Sequence, residues 1–328
     1  MSSTETVVVA GGAGFIGAHL CTRLVGEGHT VICVDDFSSG SEAAVGHLLN
    51  HDNFTLIEHD VLEPLDEVLA GTGVLQVTQI YNLACPASPP HYQKDPVRTT
   101  RICVEGTLNL LNLARTANAR LLLTSTSEVY GDPLSNPQKE TDRGNVNPVG
   151  IRACYDEGKR VAESLCFDYH RQYGTDITVA RLFNTYGPGM LADDGRLIPN
   201  LVAQALRGEA LTVYGDGNQT RAFCYIDDTL DGLIRLMNSG HAGPVNLGNP
   251  VEHTVLEMAD LIREMTGTNV PITHLPLPED DPRQRLPDIT RAGELLNWSP
   301  EVALEQGLRA TVDHFIEALK LPMVAGDA

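Results

Sequence analysis

A tyrosine and a lysine stand four residues apart in the sequence Tyr155-Asp-Glu-Gly-Lys159. On a helix this spacing puts a phenol and an ammonium group on one face, one turn apart. A free tyrosine has a pKa of about 10, and nearby positive charge stabilises its phenolate, so that it can take a hydroxyl proton near neutral pH. The pair therefore predicts a general base. Taken alone, the spacing is also typical of a core tyrosine beside a solvated lysine.

Hydroxyl and carboxyl side chains follow a predicted strand in the stretch 124–131, Thr-Ser-Thr-Ser-Glu-Val-Tyr-Gly. In an open parallel sheet the substrate lies at the carboxyl ends of the strands. We therefore expect Thr126 and Glu128 to lie beside Tyr155. An ordinary turn or capping role is the alternative for Thr126 and more so for Ser127.

A glycine-rich loop, Gly11-Gly-Ala-Gly14-Phe-Ile-Gly17, follows the first predicted strand and leads straight into a predicted helix. Glycines let the backbone turn tightly and approach a pyrophosphate, whose charge then lies at the helix N-terminus. The second predicted strand ends at Asp35, 18 residues after Gly17, where a carboxylate can accept hydrogen bonds from an adenosine ribose. Because such an acid repels a 2′-phosphate, the pattern predicts NAD rather than NADP. A tight turn with a surface aspartate is the alternative.

Short apolar runs alternate with helical patterns along the first part of the chain. The runs cover residues 6–10, 30–34, 54–58, 79–83, 120–124 and 177–181. Several are apolar at consecutive positions, as expected of strands that helices cover on both faces. Helices are predicted over 18–27, 97–117 and 152–173. The alternation predicts an α/β fold with a doubly wound, Rossmann-like parallel sheet.

The pattern changes after about residue 184 to loops rich in Gly and Pro. Shorter helices are predicted over 198–207, 228–238, 255–266 and 304–319. We predict a cofactor-binding domain over 1–183, which carries the Tyr–Lys pair, and a smaller α/β substrate lobe over 184–328. This division allows the chain to cross between the two lobes more than once. Such a lobe would close over the cleft at the strand ends.

The 328 residues include 23 basic and 43 acidic ones, for a net charge of −20. The resulting field repels polyanions, which argues against nucleic acid and anionic membranes as partners. No apolar run is long enough to span a membrane and no basic signal region is present, so we expect a cytoplasmic location. Seven scattered cysteines without a C-x-x-C pair favour reduced thiols. His47 and His51 lack an acidic third ligand, so no metal site is predicted.

These motifs resemble the extended short-chain dehydrogenase/reductase family and, within it, the UDP-glucuronate decarboxylases. The matching stretches span nearly the whole chain, and the most specific are Pro-Ala-Ser-Pro at 86–89 and Thr-Ser-Glu-Val-Tyr-Gly-Asp-Pro at 126–133. The resemblance implies conversion of UDP-glucuronic acid to UDP-xylose through a 4-keto intermediate, with NAD recycled. It also implies a homodimer in which the predicted helices 97–117 and 152–173 pair across the two-fold axis.

The resemblance further implies a role for each candidate residue. Tyr155 removes the proton from the sugar O4′ with the help of Lys159 and Thr126, and Glu128 serves decarboxylation or protonation. The candidate cofactor-binding residues are Gly11, Gly14, Phe15, Ile16, Gly17, Asp35, Asp36, Ser39, Asp60, Val61, Leu83, Tyr155 and Lys159. The candidate nucleotide- and diphosphate-binding residues are Asn184, Arg196, Asn200, Tyr214, Arg221 and Arg285. Two alternatives stay open: a helix N-cap for Asp60, and a surface ion pair between Arg285 and the acidic stretch 279–281.

Three positions depart from the pattern of the family. Gly189 replaces the usual Arg, Cys103 the usual Asn, and Asp142-Arg143 a Tyr-Trp pair. None of these is a catalytic candidate, so the predicted activity is unchanged. The rivals are a nucleotide-sugar 4,6-dehydratase, a 4-epimerase and a catalytically silent NAD-binding protein. A dehydratase needs a general acid beside the glutamate, where Ser127 is a poor proton donor.

Overall fold

The computed structural model describes residues 4–73, 76–278, 280 and 284–319. Its strands are β1 (Thr6–Ala10), β2 (Thr30–Asp35), β3 (Phe54–Glu58), β4 (Gln79–Asn82), β5 (Arg120–Thr126), β6 (Ile177–Leu182), β7 (Thr185–Tyr186), β8 (Leu211–Tyr214), β9 (Thr220–Ala222), β10 (Cys224–Tyr225), β11 (Val245–Leu247), β12 (Glu252–Thr254) and β13 (Ile272–Leu275). Its helices are α1 (Phe15–Gly26), α2 (Glu42–Val45), α3 (Asp66–Ala70), α4 (Pro89–Lys94), α5 (Pro96–Arg101), α6 (Thr107–Ala117), α7 (Ala153–Tyr173), α8 (Leu197–Arg207), α9 (Ile226–Asn238), α10 (Val255–Thr266), α11 (Thr290–Leu296) and α12 (Leu304–Ala318).

Seven parallel strands form the central sheet, in the order β3-β2-β1-β4-β5-β6-β11. The first six in chain order are the six predicted strands, so the predicted Rossmann-like fold is confirmed. The strand order reverses between β1 and β4, and this reversal opens a crevice at the carboxyl ends of the strands. The seventh strand, β11, pairs with β6 and was not predicted, because three residues are too short for a periodic signal.

The apolar strand positions are buried on both faces of the sheet. Along β1, Val7 and Val9 pack into a cluster with Leu20, whereas Val8 and Ala10 belong to a second cluster with Leu110. Helices α1 and α9 cover the first face, and α6 and α7 cover the second. Alternate side chains of a strand point to opposite faces, so a strand covered twice is apolar at consecutive positions.

The helix predicted over 97–117 is interrupted. Between α5 and α6 the chain forms a π-helical segment, Ile102–Gly106, whose wider turn adds a residue to the helix. This segment contacts α7, the longest helix of the described residues. It therefore brings an irregular stretch of backbone next to the helix that carries the Tyr–Lys pair.

A third apolar core lies outside the main sheet. It joins α8, α10 and α12 with the small parallel pair β8 and β13, through side chains such as Leu201, Ile262 and Phe315. Helix α10 begins with a capping box, in which Thr254 accepts a hydrogen bond from the Glu257 N–H and Glu257 accepts one from the Thr254 N–H. No helix in the described part of the chain is long and apolar enough to cross a membrane.

Asp228 attaches the segment between α11 and α12 to α9. Its buried carboxylate accepts hydrogen bonds from the backbone N–H groups of Glu301, at 3.0 Å, and Val302, at 3.1 Å. The indole N–H of Trp298 donates to the Asp228 carbonyl oxygen at 3.0 Å. The Asp228 side chain thus provides hydrogen-bond acceptors for two backbone N–H groups that lie outside any helix or strand.

We expect Asp228→Ala to lower the free energy of unfolding by about 2–3 kcal/mol, because it leaves two backbone donors without a partner. Asp227, the exposed neighbour on the same helical turn, provides the matched control. Asp227→Ala should change stability by less than about 1 kcal/mol. Urea unfolding of both variants measures the difference, and equal losses would contradict the anchoring role.

Candidate active site

A cavity of about 610 Å³ runs along the carboxyl ends of β1, β4 and β5. Every residue named above as a cofactor, catalytic or substrate candidate lines this cavity. The structure therefore brings together groups that are spread from Gly11 to Arg285 in the sequence. Their contacts divide the cavity into a dinucleotide end, a catalytic centre and an end rich in arginine.

The glycine loop forms the floor of the dinucleotide end. Gly11 has a φ of +76°, and a Cβ on Gly17 would lie 2.1 Å from the Gly11 carbonyl oxygen, so the helix can approach the loop only without that atom. Helix α1 begins at Phe15 with no acidic residue in its first turn. Its N–H groups thus offer an anion site suited to a pyrophosphate.

Asp35 joins the end of β2 to this loop. Its carboxylate accepts hydrogen bonds from the backbone N–H groups of Ala13 and Phe37, both at 2.9 Å. The side chain is buried, so a surface aspartate, the alternative, is wrong. Burial raises the pKa of Asp35. A carboxylate oxygen can accept more than one hydrogen bond, so the same group can also bind ribose hydroxyls, and these residues fit the adenosine half of NAD.

An arginine that the sequence analysis missed joins Asp36 and Asp60 at the dinucleotide end. The Arg98 Nη2 atom lies 2.7 Å from Asp36 Oδ2 and 2.8 Å from Asp60 Oδ2. Burial acts to raise the pKa of Asp36, but hydrogen bonds from Ser38 and Arg98 lower it overall. Asp60 does not cap a helix, because α3 begins only at Asp66. No local signal marks Arg98, since its partners stand far away in the sequence.

Tyr155 and Lys159 lie one turn apart on α7 and face the cavity, as their spacing predicted. The Lys159 Nζ atom donates to the carbonyl oxygen of Thr124 at 2.9 Å and lies 6.0 Å from the centre of the Tyr155 ring. The Tyr155 ring stacks on Tyr92, with centroids 5.0 Å apart. Burial raises the pKa of Tyr155 well above its ordinary value, and a hydrogen bond with Thr126 opposes that rise.

Thr126 combines the two roles that the sequence left open. It ends β5 and accepts a hydrogen bond from the Glu128 N–H at 3.2 Å, which starts a short 3₁₀ turn. The same side chain also forms the hydrogen bond with Tyr155. A capping threonine thus carries its hydroxyl into the catalytic centre.

Glu128 is held by two arginines, of which Arg152 is buried and Arg285 is largely buried. The Arg285 Nη2 atom lies 2.8 Å from Glu128 Oε2, and Arg152 Nη2 pairs with the same oxygen. Arg285 is 12% exposed and Glu128 9% in their side chains, so the alternative of a surface ion pair is wrong for this contact. Residues 279 and 281 of the acidic stretch lie outside the described residues.

Arg152 and Asp156 are two further groups of this cluster that the sequence analysis missed. Both are buried at the start of α7: Arg152 directly precedes the helix, Asp156 lies in its first turn, and Tyr155 stands between them in the sequence. Helical periodicity is the signal by which they could be identified from the sequence, because residues 152, 155, 156 and 159 share one face of a helix. A charged pair flanking the predicted base on that face could have indicated them.

The remaining candidates surround the far end of the cavity. Arg196 precedes α8 and pairs with Asp194, with Nη2 2.6 Å from Oδ2, while Asn200 lies in the first turn of the helix. Arg221 is buried on β9 and donates to the Thr220 carbonyl oxygen at 2.8 Å. Asn184 and the half-exposed Tyr214 complete this part of the wall.

The three departures from the family pattern have different surroundings. Gly189 has a φ of +87°, which disfavours any larger residue, and lies against His19 in the cavity wall. Asp142 accepts hydrogen bonds from Ser135 and the Lys139 N–H at 2.6 and 2.9 Å and so fixes its own loop. Cys103 lies in the π-helical segment, next to Cys85.

The histidine pair noted in the sequence has an ordinary surface environment. The His47 Nε2 atom lies 2.9 Å from Thr22 Oγ1 at an exposed position. Within the described ranges, no group of three or more His, Cys, Asp or Glu side chains is arranged to hold a metal ion.

The chain is similar to known proteins both in sequence and in fold. Residues 7–248 match the model of the NAD dependent epimerase/dehydratase family. UDP-glucuronic acid decarboxylase 4 of Arabidopsis thaliana is 56% identical over 309 residues, which cover 94% of this chain and 68% of that protein. A solved UDP-glucose 4-epimerase of Thermotoga maritima with UDP-glucose has a TM-score of 0.88 at 29% identity and covers 96% of this chain and 100% of its own. A UDP-glucuronic acid 4-epimerase of Bacillus cereus, in complex with UDP-glucuronic acid and NAD, has a TM-score of 0.85 at 27% identity, covering 96% and 100%.

The family match and the dinucleotide end of the cavity agree on the cofactor. The glycine loop and Asp35 predicted NAD from the sequence, and the matched family is described by its dependence on NAD, so that prediction is confirmed. The match covers most of the chain, from β1 to just beyond β11. The chain belongs to the NAD dependent epimerase/dehydratase family, as its resemblance to the extended short-chain dehydrogenases/reductases predicted.

Proposed function

We propose that this chain is a UDP-glucuronic acid decarboxylase, a carboxy-lyase that forms UDP-xylose and uses NAD without net consumption. The observation that carries the proposal is that Arg152 and Arg285 both pair with Glu128 and that this cluster lines the same cavity as Tyr155. A sugar acid needs a proton acceptor at its hydroxyl and cations near its carboxylate, and the cavity offers both. Identity of 56% to a protein of that name supports the same activity.

Tyr155 is the proposed base for the sugar 4′-hydroxyl. Tyr155 takes this proton as the phenolate and becomes the phenol, and because burial raises its pKa, positive charge must stabilise the phenolate beforehand. Lys159 supplies one such charge on the same helix face, and the Thr126 hydroxyl orients the phenol. The glycine loop, Asp35 and Leu83 would hold NAD⁺, which would supply the hydride acceptor for C4′ and, once reduced, the hydride donor.

Oxidation at C4′ places the sugar carboxylate β to a ketone, and carbon dioxide can then leave with its electrons delocalised into an enolate. The Tyr155 and Thr126 hydroxyls lie where they stabilise that developing charge by hydrogen bonds. Protonation at C5′ then gives the 4-keto pentose that is reduced to the product. We assign Glu128 to the decarboxylation or protonation step, because it lies two residues beyond Thr126 and shares its turn.

Arg285 and Arg152 are the residues that we propose bind and orient the substrate carboxylate. A guanidinium has five N–H donors, so an arginine can contact two carboxylates at once, as Arg98 does with Asp36 and Asp60. This assignment moves Arg285 from the diphosphate, where the sequence analysis expected it, to the sugar. Arg196 and Arg221 stay the proposed diphosphate ligands.

The geometry favours decarboxylation over the rival reactions. A 4,6-dehydratase needs a general acid beside the glutamate, and the chain has the buried hydroxyl of Ser127 there. A 4-epimerase needs no carboxylate clamped by arginines next to the base. Epimerases have the same fold, so these side chains, and not the sheet, distinguish decarboxylation from epimerisation.

We further propose a cytoplasmic homodimer. The seven cysteines are free thiols, as suits a reducing compartment. The helical segment from α5 to α6 and helix α7 expose large apolar side chains, with Val97 70%, Val161 41% and Tyr173 45% exposed. Pairing these two helices across a two-fold axis would bury that surface.

The first experiment follows carbon dioxide release and the sugar product by mass spectrometry and NMR, with UDP-glucuronic acid and NAD⁺ as reactants. We expect carbon dioxide and UDP-xylose in equal amounts. Tyr155→Phe should keep the fold and lower turnover by about 10²–10⁴-fold, because the base is lost. Unchanged or epimerised UDP-glucuronic acid with the wild-type protein would overturn the proposed function.

Arg285→Gln tests the carboxylate guide. We expect kcat/KM for UDP-glucuronic acid to fall by about 10²-fold or more, because one cation of a buried cluster is removed, while NAD affinity is unchanged. Arg120→Gln, which removes an arginine paired with Asp176 away from the cavity, is the matched control and should alter neither value. Equal losses of NAD and sugar-nucleotide affinity in Arg285→Gln would indicate a merely structural arginine.

Asp156→Asn tests the charge balance of the cluster through stability. Burial, and then repulsion by Glu128, raises the pKa of Asp156 to about 7, well above its ordinary value. The folded state therefore holds this proton more tightly than the unfolded chain, so this group makes wild-type stability fall as pH rises from about 4 to 7. We expect the asparagine variant to lack this decline.

The Tm of Asp156→Asn relative to wild type should thus rise by roughly 2–4 °C between pH 5 and pH 8 in thermal unfolding. The control is Glu157→Gln, the half-exposed neighbour on α7, whose difference from wild type should not vary with pH. A constant difference for Asp156→Asn across this range would show that its carboxyl is ionised throughout.

A further inference from the structure

Two thiols meet beside the helix that carries Tyr155. Cys85 follows β4, and Cys103 lies in the π-helical segment Ile102–Gly106. Their Sγ atoms are 3.3 Å apart, and both cysteines are free. An S–S bond is about 2.05 Å long, so the two sulfurs must approach each other by about 1.2 Å to form one.

The Cys85–Cys103 pair can be reached from the cavity. Cys85 is partly exposed and lines the cavity wall next to Pro86, whereas Cys103 is buried behind it. By contrast, Cys21 and Cys33 are fully buried beneath the glycine loop. A small oxidant that enters the active site therefore meets Cys85 before Cys103.

The surroundings favour loss of one proton from this pair. The hydrogen bond from Cys85 lowers the pKa of the Cys103 thiol, burial opposes that change, and the positive charge of Lys159 adds to the lowering. The same hydrogen bond and burial raise the pKa of Cys85. A thiolate is the form that peroxides oxidise, and either sulfur can be the donor across the 3.3 Å contact, so transfer of the Cys85 proton to the Cys103 thiolate forms a thiolate on Cys85.

Cys103 also contacts the catalytic helix. A Cβ built on Gly158 would lie 3.0 Å from Cys103 Cβ and 3.1 Å from its Sγ, so α7 and the π-helical segment touch at this glycine. Gly158 directly precedes Lys159 and lies three residues after Tyr155. Any movement of Cys103 towards Cys85 therefore changes the packing behind the base.

We propose that Cys85 and Cys103 are a thiol modification site, which peroxides convert to a disulfide and dithiols restore, and that the disulfide slows turnover at Tyr155. The Cys85 thiolate attacks a peroxide oxygen and breaks the O–O bond, which gives a sulfenic acid and an alkoxide or hydroxide ion that takes up a proton from solvent. The Cys103 thiol then attacks that sulfur and expels water. The two cysteines are oxidised by two electrons and the peroxide is reduced by two. The activity readout rests on the proposed function, whereas the disulfide does not.

The test treats the reduced protein with a small molar excess of hydrogen peroxide and quenches it with acid. Peptides from a non-reducing digest are then mapped by mass spectrometry. We expect a linked peptide that contains Cys85 and Cys103 and is two hydrogens lighter than the sum of the free peptides. Turnover of UDP-glucuronic acid should fall by about 10-fold or more, because shifts near 1 Å at reacting groups are costly, and dithiothreitol should restore it.

Matched variants separate this site from general oxidation. Cys103→Ser and Cys85→Ser should each abolish the linked peptide and the recovery with dithiothreitol. Cys166→Ser, which removes a buried thiol of α7 outside the pair, should keep both responses. A link from Cys103 to Cys154, no link at all, or a Cys85–Cys103 link with unchanged turnover would overturn the proposal. A protein that forms the link but converts no UDP-glucuronic acid would instead contradict the proposed function.

Discussion

The packing of α7 against the end of β5 sets the geometry of the whole site. Lys159 contacts Thr124, Tyr155 contacts Thr126, and Arg152 contacts Glu128, so residues about one helical turn apart meet alternate residues at the end of β5 and just beyond it. A shift of the helix by one turn would break all of these contacts together. Apolar packing of α7 on the sheet holds this register, through fully buried side chains such as Ala162 and Cys166. Because the core is close-packed, the polar groups that it carries are held in position without long flexible tethers.

Charge is distributed unevenly in this protein. The chain carries −20 overall, yet arginines line its cavity, and Arg152 and Arg285 at the catalytic centre are held by Glu128. Arg98, which pairs with two carboxylates of the cavity wall at the dinucleotide end, is held in the same way. Burying an arginine without such a partner would be costly, so the acids keep the cations in place. An anionic ligand that enters the cavity then meets directed donors rather than a positive field. This arrangement explains how a strongly acidic protein can bind a nucleotide sugar that is itself negative.

Distant parts of the chain meet at Glu128. Arg285 comes from a segment that Gln138 fixes, since Leu286 N–H donates to the Gln138 side chain at 2.7 Å and Asp288 N–H to its carbonyl at 2.8 Å. The loop after β5 thus supports the segment that returns to the catalytic centre. A second irregular element, the π-helical segment, brings Cys103 to the other side of α7. The same helix is therefore constrained by an ion cluster on one side and by a thiol pair on the other.

Local patterns were sufficient to predict the first six strands of the chain and the main helices. They were also sufficient to predict the glycine loop with Asp35 and the Tyr155–Lys159 pair. Each of these depends on periodicity, turn chemistry or a fixed helical spacing, which neighbouring residues specify on their own. Arg98 on its two aspartates, Arg285 on Glu128 and the contact of Cys85 with Cys103 depend on folding, because each joins residues separated by 18 to 157 positions. A side chain that reaches across the cavity leaves no repeating pattern in the sequence. Burial and pairing of charge, which exist only once the core has formed, decide where such a residue ends up.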